Sequence, residues 1–146
     1  LVEALEKGNY NYLDRSKMSP RESLMAAYDA DIFLSSANAV TNDGILVNID
    51  GNSNRVSCIA QGPRKVVFIV GINKVCSDLD SAMKRARNVA APVNAQRFDL
   101  NIPCKETGKC FDCKSMDTIC CQFLITRFSR HTDRIHVILV NDTLGY

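Results

Sequence analysis

The chain has 146 residues, of which 46% are hydrophobic, enough to bury one shared core without help from disulfides. Its 18 basic and 16 acidic side chains are scattered and leave a net charge of only +2, so the electrostatic footprint of a nucleic-acid binder is missing. The longest apolar run, Val66 to Val70, is far too short to span a bilayer, and no secretory signal is visible, so neither a membrane nor nucleic acid is an expected partner.

One domain over residues 1–146 is the expectation. The first residue is Leu1 rather than Met, and Leu1 to Gly8 reads as the tail of a helix, the pattern of a chain preceded by further sequence. Seven cysteines, five of them between Cys104 and Cys121, suit a metal site in a reducing compartment better than a dispersed disulfide framework, which points to the cytoplasm.

In chain order, Ser19-Pro20-Arg21-Glu22 opens a helix over about Pro20 to Tyr28, with a capping hydroxyl, a proline that needs no N–H, and Glu22 completing a capping box. Leu24, Ala27 and Tyr28 share its inner face. Asp31 to Ser36 and Ile45 to Ile49 read as two strands of a hairpin around Asn42-Asp43-Gly44. Asn52 or Ser53 then caps a short helix carrying Val56, Ile59 and Ala60.

Val66 to Val70 has the uniform apolar pattern of a central strand covered on both faces. Leu79, Ala82, Met83, Ala86 and Ala90 recur at helical spacing until Pro92, with Lys84, Arg85 and Arg87 as the wet face. Gln122 to Arg127 and Arg134 to Val140 are two further strands, separated by a turn over Ser129 to Asp133. The order predicts an α/β fold, a layered sheet with helices on its faces.

The sharpest chemical signal is Cys104, Cys110, Cys113 and Cys120, a C-x5-C-x2-C-x6-C cluster forming a metal loop over residues 104–120. The x2 pair turns two sulfurs toward one ion, Gly108 lets the backbone bend, and zinc accepts a shell of four thiolates. The spacing is not that of a ferredoxin run, so zinc is favoured and an iron–sulfur cluster is the alternative. Cys58, Cys76 and Cys121 read as thiols outside the site.

A second constellation runs from Ser35 to Arg55 and is dense in small polar residues. Asn38, Thr41, Asp43 and Asn52, with Arg55 as a charged clamp, form a candidate pocket for a small anionic metabolite; the same residue types also serve turns and caps. There is no nucleophile elbow, P-loop or dinucleotide fingerprint, and the two histidines, His131 and His136, lie in turn and strand contexts, so the residues do not decide whether the chain is an enzyme.

Three stretches together resemble the LUD-domain (lactate-utilisation) family: Ser35 to Thr41 with Asp43-Gly44 and Asn48 to Gly51; Pro103 through Cys113 and Cys120; and Val137 to Val140 ending in Leu144-Gly145-Tyr146. The Gly62 to Val66 entry to the central strand and its Gly71-Ile72-Asn73-Lys74 exit fit the same pattern, within a subgroup that carries the cysteine cluster. The resemblance implies a fold like that of glucosamine-phosphate isomerases, ribose-phosphate isomerases and CoA transferases, with ligands near strand ends. It also implies kinship with a multi-subunit system that oxidises lactate, in which other subunits carry the redox centres. The alternatives are a stand-alone isomerase-like or CoA-transferase-like enzyme with Asp43 or Asp50 as acid/base, and a non-catalytic module whose cysteine loop docks a partner.

Overall fold

The computed structural model describes residues 1–146. In chain order it contains α1 (Val2–Lys7), α2 (Pro20–Asp29), β1 (Ile32–Ser35), β2 (Ala39–Thr41), β3 (Leu46–Asp50), α3 (Asn54–Ala60), β4 (Lys65–Gly71), β5 (Val75–Cys76), α4 (Leu79–Arg85), α5 (Ala91–Ala95), α6 (Pro103–Thr107), β6 (Gln122–Thr126) and β7 (Ile135–Val140). The fold is layered α/β. The strands divide between a parallel sheet, β1-β4-β7, and a mixed sheet, β5-β2-β3-β6. No helix is long and apolar enough to cross a membrane.

The first core lies between the sheets. Val66, Phe68 and Val70 from β4 meet Val40 and Leu46 from the mixed sheet, with Ile59 of α3 closing one end. The opposite face of the mixed sheet, Ala39, Val47 and Ile49, packs on Ala82 and Ala86 of the following helical run. Alanines at 82, 86, 90 and 95, all fully buried, let that helix lie close to the strands. A third, smaller core of Ala95, Ile102 and Cys104 underlies the cysteine loop.

α2 begins at the expected capping box, with Ser19 Oγ accepting the Glu22 N–H at 3.3 Å and the Glu22 carboxylate accepting the Ser19 N–H at 3.0 Å. Several other expectations change. The hairpin is not β1 with β3: β1 runs parallel to β4, and the partner of β3 is β2, a three-residue strand in the polar stretch. Its Val40 and Thr41 are buried, so the turn signal belonged to a shorter hairpin than the apolar runs suggested.

β4 is central in its sheet, but it is not covered on both faces. Val66, Phe68 and Val70 are buried, while Val67 and Ile69 are only half-buried on the face they share with Ile32, Leu34 and Ile138, all exposed. The helix beginning at Leu79 does not stop at Pro92 either. A π turn over Ala86–Ala90, in which the Ala91 N–H donates to the Ala86 carbonyl, shifts the ladder, and Pro92 sits in the first turn of α5, where its missing N–H costs little. β6 and β7 enter different sheets, β6 beside β3 and β7 beside β4.

α3 is held at its start by a carboxylate from the end of β3 and at its other end by a residue distant in sequence. Neither Asn52 nor Ser53 caps it through a side chain; Ser53 takes a left-handed conformation, φ 60°, and the Asp50 carboxylate accepts the N–H groups of Arg55 and Val56 at 2.9 and 2.8 Å. At the other end the Arg134 guanidinium donates to the carbonyls of Ile59 (2.8 Å), Cys58 (3.3 Å) and Pro63 (3.2 Å), placing positive charge where the helix dipole is negative. Ala60, expected on the inner face, is exposed.

Candidate functional site

The C-terminal ends of β1 and β4, the usual ligand side of parallel α/β sheets, lead into a network of polar side chains that includes Arg55 and the buried Lys74. Arg55 is the hub. Its Nε donates to Asp50 Oδ1 at 3.1 Å, Nη1 to the Ser36 carbonyl at 3.1 Å, and Nη2 to Asn38 Oδ1 at 3.0 Å and the Ile49 carbonyl at 2.9 Å. Asn38 Oδ1 also accepts the Ile49 N–H at 2.8 Å. Arg55 is therefore an internal strut joining β1, β2, β3 and α3, with four of its five N–H donors on protein acceptors, rather than a clamp at an open rim.

The other proposed ligand residues fall into a separate group. Thr41 Oγ1 accepts the Ile45 N–H at 2.8 Å and donates to Asp43 Oδ1, so this pair closes the β2–β3 turn, where Gly44 has φ 89°. Asn52 is exposed. The structure thus joins Asn38 to Arg55 and Thr41 to Asp43 as two hydrogen-bonded pairs, each serving backbone.

Beside the Arg55 strut are two cations that composition and periodicity did not single out. Lys74 ends a 3-10 turn (Ile72–Lys74) that follows β4, is 4% exposed, and donates to Ser36 Oγ at 3.1 Å. Burial pushes its ammonium below the ordinary lysine value, and the charges of Arg85 and Arg55 push it the same way. Arg85, expected on the wet face of its helix, turns inward: Nε donates to the Asn73 carbonyl at 3.0 Å and Nη1 to the Asn38 carbonyl. Lys74 thus lies within electrostatic reach of both Arg85 and Arg55, and the one carboxylate of the network, Asp50, is already engaged by the Arg55 side chain at 2.9 Å.

Asn73 clasps the segment that follows β7. Its Nδ2 donates to the Gly145 carbonyl at 3.1 Å and its Oδ1 accepts the Leu144 N–H at 3.3 Å. Gly71 is required at this crossing, because a Cβ there would collide with Asn73 Oδ1 and the Leu144 nitrogen. The Gly71-Ile72-Asn73-Lys74 exit was the one sequence signal for this site.

The cysteine loop forms the second candidate. Cys104, in α6, is buried against Ala95 and Ile102, with Cys113 alongside. Gly108, φ 70°, ends α6 with its N–H on the Cys104 carbonyl at 3.0 Å, and Asp112, φ 53°, turns the chain between Cys110 and Cys113 so that its N–H points at Cys110 Sγ, 3.4 Å away. Arg87 donates to Cys110 Sγ at 3.3 Å and to Asp112 at 2.7 Å, tying the loop to the helix beneath. Burial, then the charges of Cys110, Cys104, Cys113 and Cys121, push the Cys120 thiol up to about 11. Burial raises Cys104 too, followed by Cys113 and Cys110.

The four sulfurs therefore lie within electrostatic reach of one another, and all seven cysteines are free thiols. As the side chains stand, no group of three His, Cys, Asp or Glu is drawn onto a single metal-holding centre. A donor set of four thiols on one bent loop, with an N–H directed at a sulfur, fits the chemistry of a thiophilic ion. Cys58 is buried in α3, Cys76 lies in β5, and the exposed Cys121 thiol donates to the Thr118 carbonyl at 3.6 Å.

The family model of the LUD domain matches residues 1–140. The chain belongs to the LUD-domain family, which is related to lactate utilisation. No curated protein and no solved structure matches it. Within this LUD domain the match spans both candidates, the strand-end network and the cysteine loop.

Proposed function

We propose that this LUD-domain chain is a component of a lactate or related organic-acid utilisation system and binds a small anionic metabolite at the C-terminal ends of β1 and β4. The observation that carries this reading is the buried Lys74 ammonium, which feels the charges of Arg85 and Arg55 while the one carboxylate of the network, Asp50, is paired with Arg55. Partly buried positive charge that protein groups leave uncompensated favours an anion. Asn38 and Arg55 serve as the rigid frame of the site, Thr41 and Asp43 close the adjoining hairpin, and Asn52 lies exposed between β3 and α3. Thermal melts with L-lactate, D-lactate and pyruvate test the proposal, with neutral propane-1,2-diol as control. An increase in Tm with at least one acid and none with the diol is expected; no shift with any acid overturns it.

In this reading the redox centres belong to other subunits, and the chain works in the cytoplasm, where its seven thiols stay reduced. Cys104, Cys110, Cys113 and Cys120 would hold a metal, zinc ahead of an iron–sulfur cluster, as a structural staple of a loop with little core of its own. A stand-alone isomerase-like or CoA-transferase-like activity ranks lower, because Asp50 is committed to Arg55 and Val56 and Asp43 to Thr41. The docking-module reading has one observation in its favour, the exposure of Phe111 and Met116 on the cysteine loop.

A further inference from the structure

Lys74 is a buried ammonium with too few partners. At 4% exposure it makes one hydrogen bond, to Ser36 Oγ, and forms no ion pair. An ammonium has three N–H donors, so two are left over. Ser36 Oγ accepts from Lys74, which leaves its own O–H free to donate, and that proton has no acceptor in the fold. The nearest cations are themselves fixed, Arg55 on Asp50 and Arg85 on the carbonyls of Asn73 and Asn38. Nothing from the protein neutralises Lys74.

A second unsatisfied group is buried on β3. Asn48 is completely buried on β3, on the face that alternation assigns to Leu46 and Asp50, and neither its Oδ1 nor its Nδ2 has a hydrogen-bond partner. Buried amides are rarely left unpaired in native proteins. The surface is close to Lys74: Gly145, which is exposed, has no side chain, and a Cβ built on it would stand 3.5 Å from Nζ.

We propose that Lys74 Nζ and Ser36 Oγ form a carboxylate-binding subsite, in which the ammonium donates to one oxygen of a small organic acid and the serine hydroxyl to the other. The proposal rests on the anionic-metabolite reading above and assigns its contact residues. Carboxylate is favoured over phosphate by the number of donors. Phosphate sites in α/β folds draw on several backbone N–H groups at a helix start, whereas the N–H groups of Arg55 and Val56 at the start of α3 are already taken by Asp50. What remains, one ammonium and one hydroxyl, matches a two-oxygen anion.

A binding role and a structural role for Lys74 predict opposite results. If Lys74 is retained for a ligand, removing its charge relieves the free protein of an uncompensated buried cation, so Lys74→Met should melt higher than wild type without ligand and lose the shift produced by acid. If its bond to Ser36 is a structural tie, Lys74→Met should melt lower.

The experiment uses the full chain with pyruvate, L-lactate, acetate and inorganic phosphate, read by thermal melts and titration calorimetry on wild type, Lys74→Met and Ser36→Ala. The expected result is carboxylate binding by wild type, weakened at least about tenfold in Ser36→Ala and lost in Lys74→Met. Ser36→Ala, which keeps the ammonium, decides the matter if Lys74→Met does not fold. Carboxylates that stabilise wild type and both variants equally would leave the metabolite reading standing and overturn this subsite. Lys74-dependent binding of phosphate without carboxylate would overturn the ligand class, and no binding of any anion would overturn both proposals.

Discussion

Asp50 grips Arg55 twice, accepting its backbone N–H at 2.9 Å through Oδ2 and its Nε at 3.1 Å through Oδ1. One carboxylate thereby starts α3 and aims the guanidinium that joins the ends of β1, β2 and β3. Replacing Asp50 by Ala removes the acceptor for two helix N–H groups and leaves Arg55 without its counter-ion. The expected loss is about 3–5 kcal/mol in urea unfolding. A loss below about 1 kcal/mol would show that Arg55 finds equivalent partners elsewhere.

The two faces of β4 should differ in energetic weight. Phe68 is completely buried between the sheets, and Phe68→Ala is expected to cost about 3–5 kcal/mol. Ile69 points to the half-open face, so Ile69→Ala should cost clearly less, about 1–2 kcal/mol, since part of the side chain never leaves water. Equal losses at the two positions would mean that something covers the outer face in solution.

The cysteine loop gives a prediction in metal content. Protein purified without oxygen should contain about one metal equivalent per chain by elemental analysis if the four thiols close around one ion. Ser at Cys104, Cys110, Cys113 or Cys120 should reduce that content and lower Tm, whereas Cys121→Ser should change neither. Metal-free wild-type protein, or equal sensitivity at Cys121, would remove the metal reading.

Lys74 makes a prediction in pH. Burial, reinforced by Arg85 and Arg55, lowers its folded-state value, so between that value and the unfolded value of 10.5 the unfolded chain binds more protons. Its contribution to stability therefore rises with pH through this window, and its penalty is complete below it. Burial raises the thiols of Cys58, Cys76, Cys104 and Cys120, which act in the opposite sense above pH 9. The difference between wild type and Lys74→Met separates the two. That difference should be largest below the folded-state value and shrink as pH approaches 10.5; a difference independent of pH would show that Lys74 keeps an ordinary value.

Helix starts and buried strands were legible where the signal is local. The capping box at Ser19 and the apolar run in β4 each depend on residues close in sequence. Pairing was not legible: the short β2 has little pattern of its own, and its burial comes from β4 on one face and the helix beginning at Leu79 on the other. Arg85 was misread because helical spacing marks the apolar stripe but not whether a long side chain beside it turns toward backbone carbonyls on other elements. Lys74 carried no signal beyond its place in the Gly71-Ile72-Asn73-Lys74 exit, because its burial is created by Ser36 and by the segment around Gly145, 38 residues before it and 71 after it. The cysteine cluster was visible as spacing, and the loop's link to Arg87 and Asn88 was not.

The division of β6 and β7 between two sheets has a consequence for synthesis. β3 gains its second neighbour only through Gln122–Thr126, and β4 only through Ile135–Val140. During synthesis the two sheets therefore stay unfinished, with one backbone edge of β3 and one of β4 unpaired, until residues 122–140 have cleared the exit tunnel. Long-range pairing of this kind is slow and leaves sticky edges unprotected in the meantime. The cysteine loop precedes those closing strands in the chain, and so leaves the tunnel while both sheets are still unsealed.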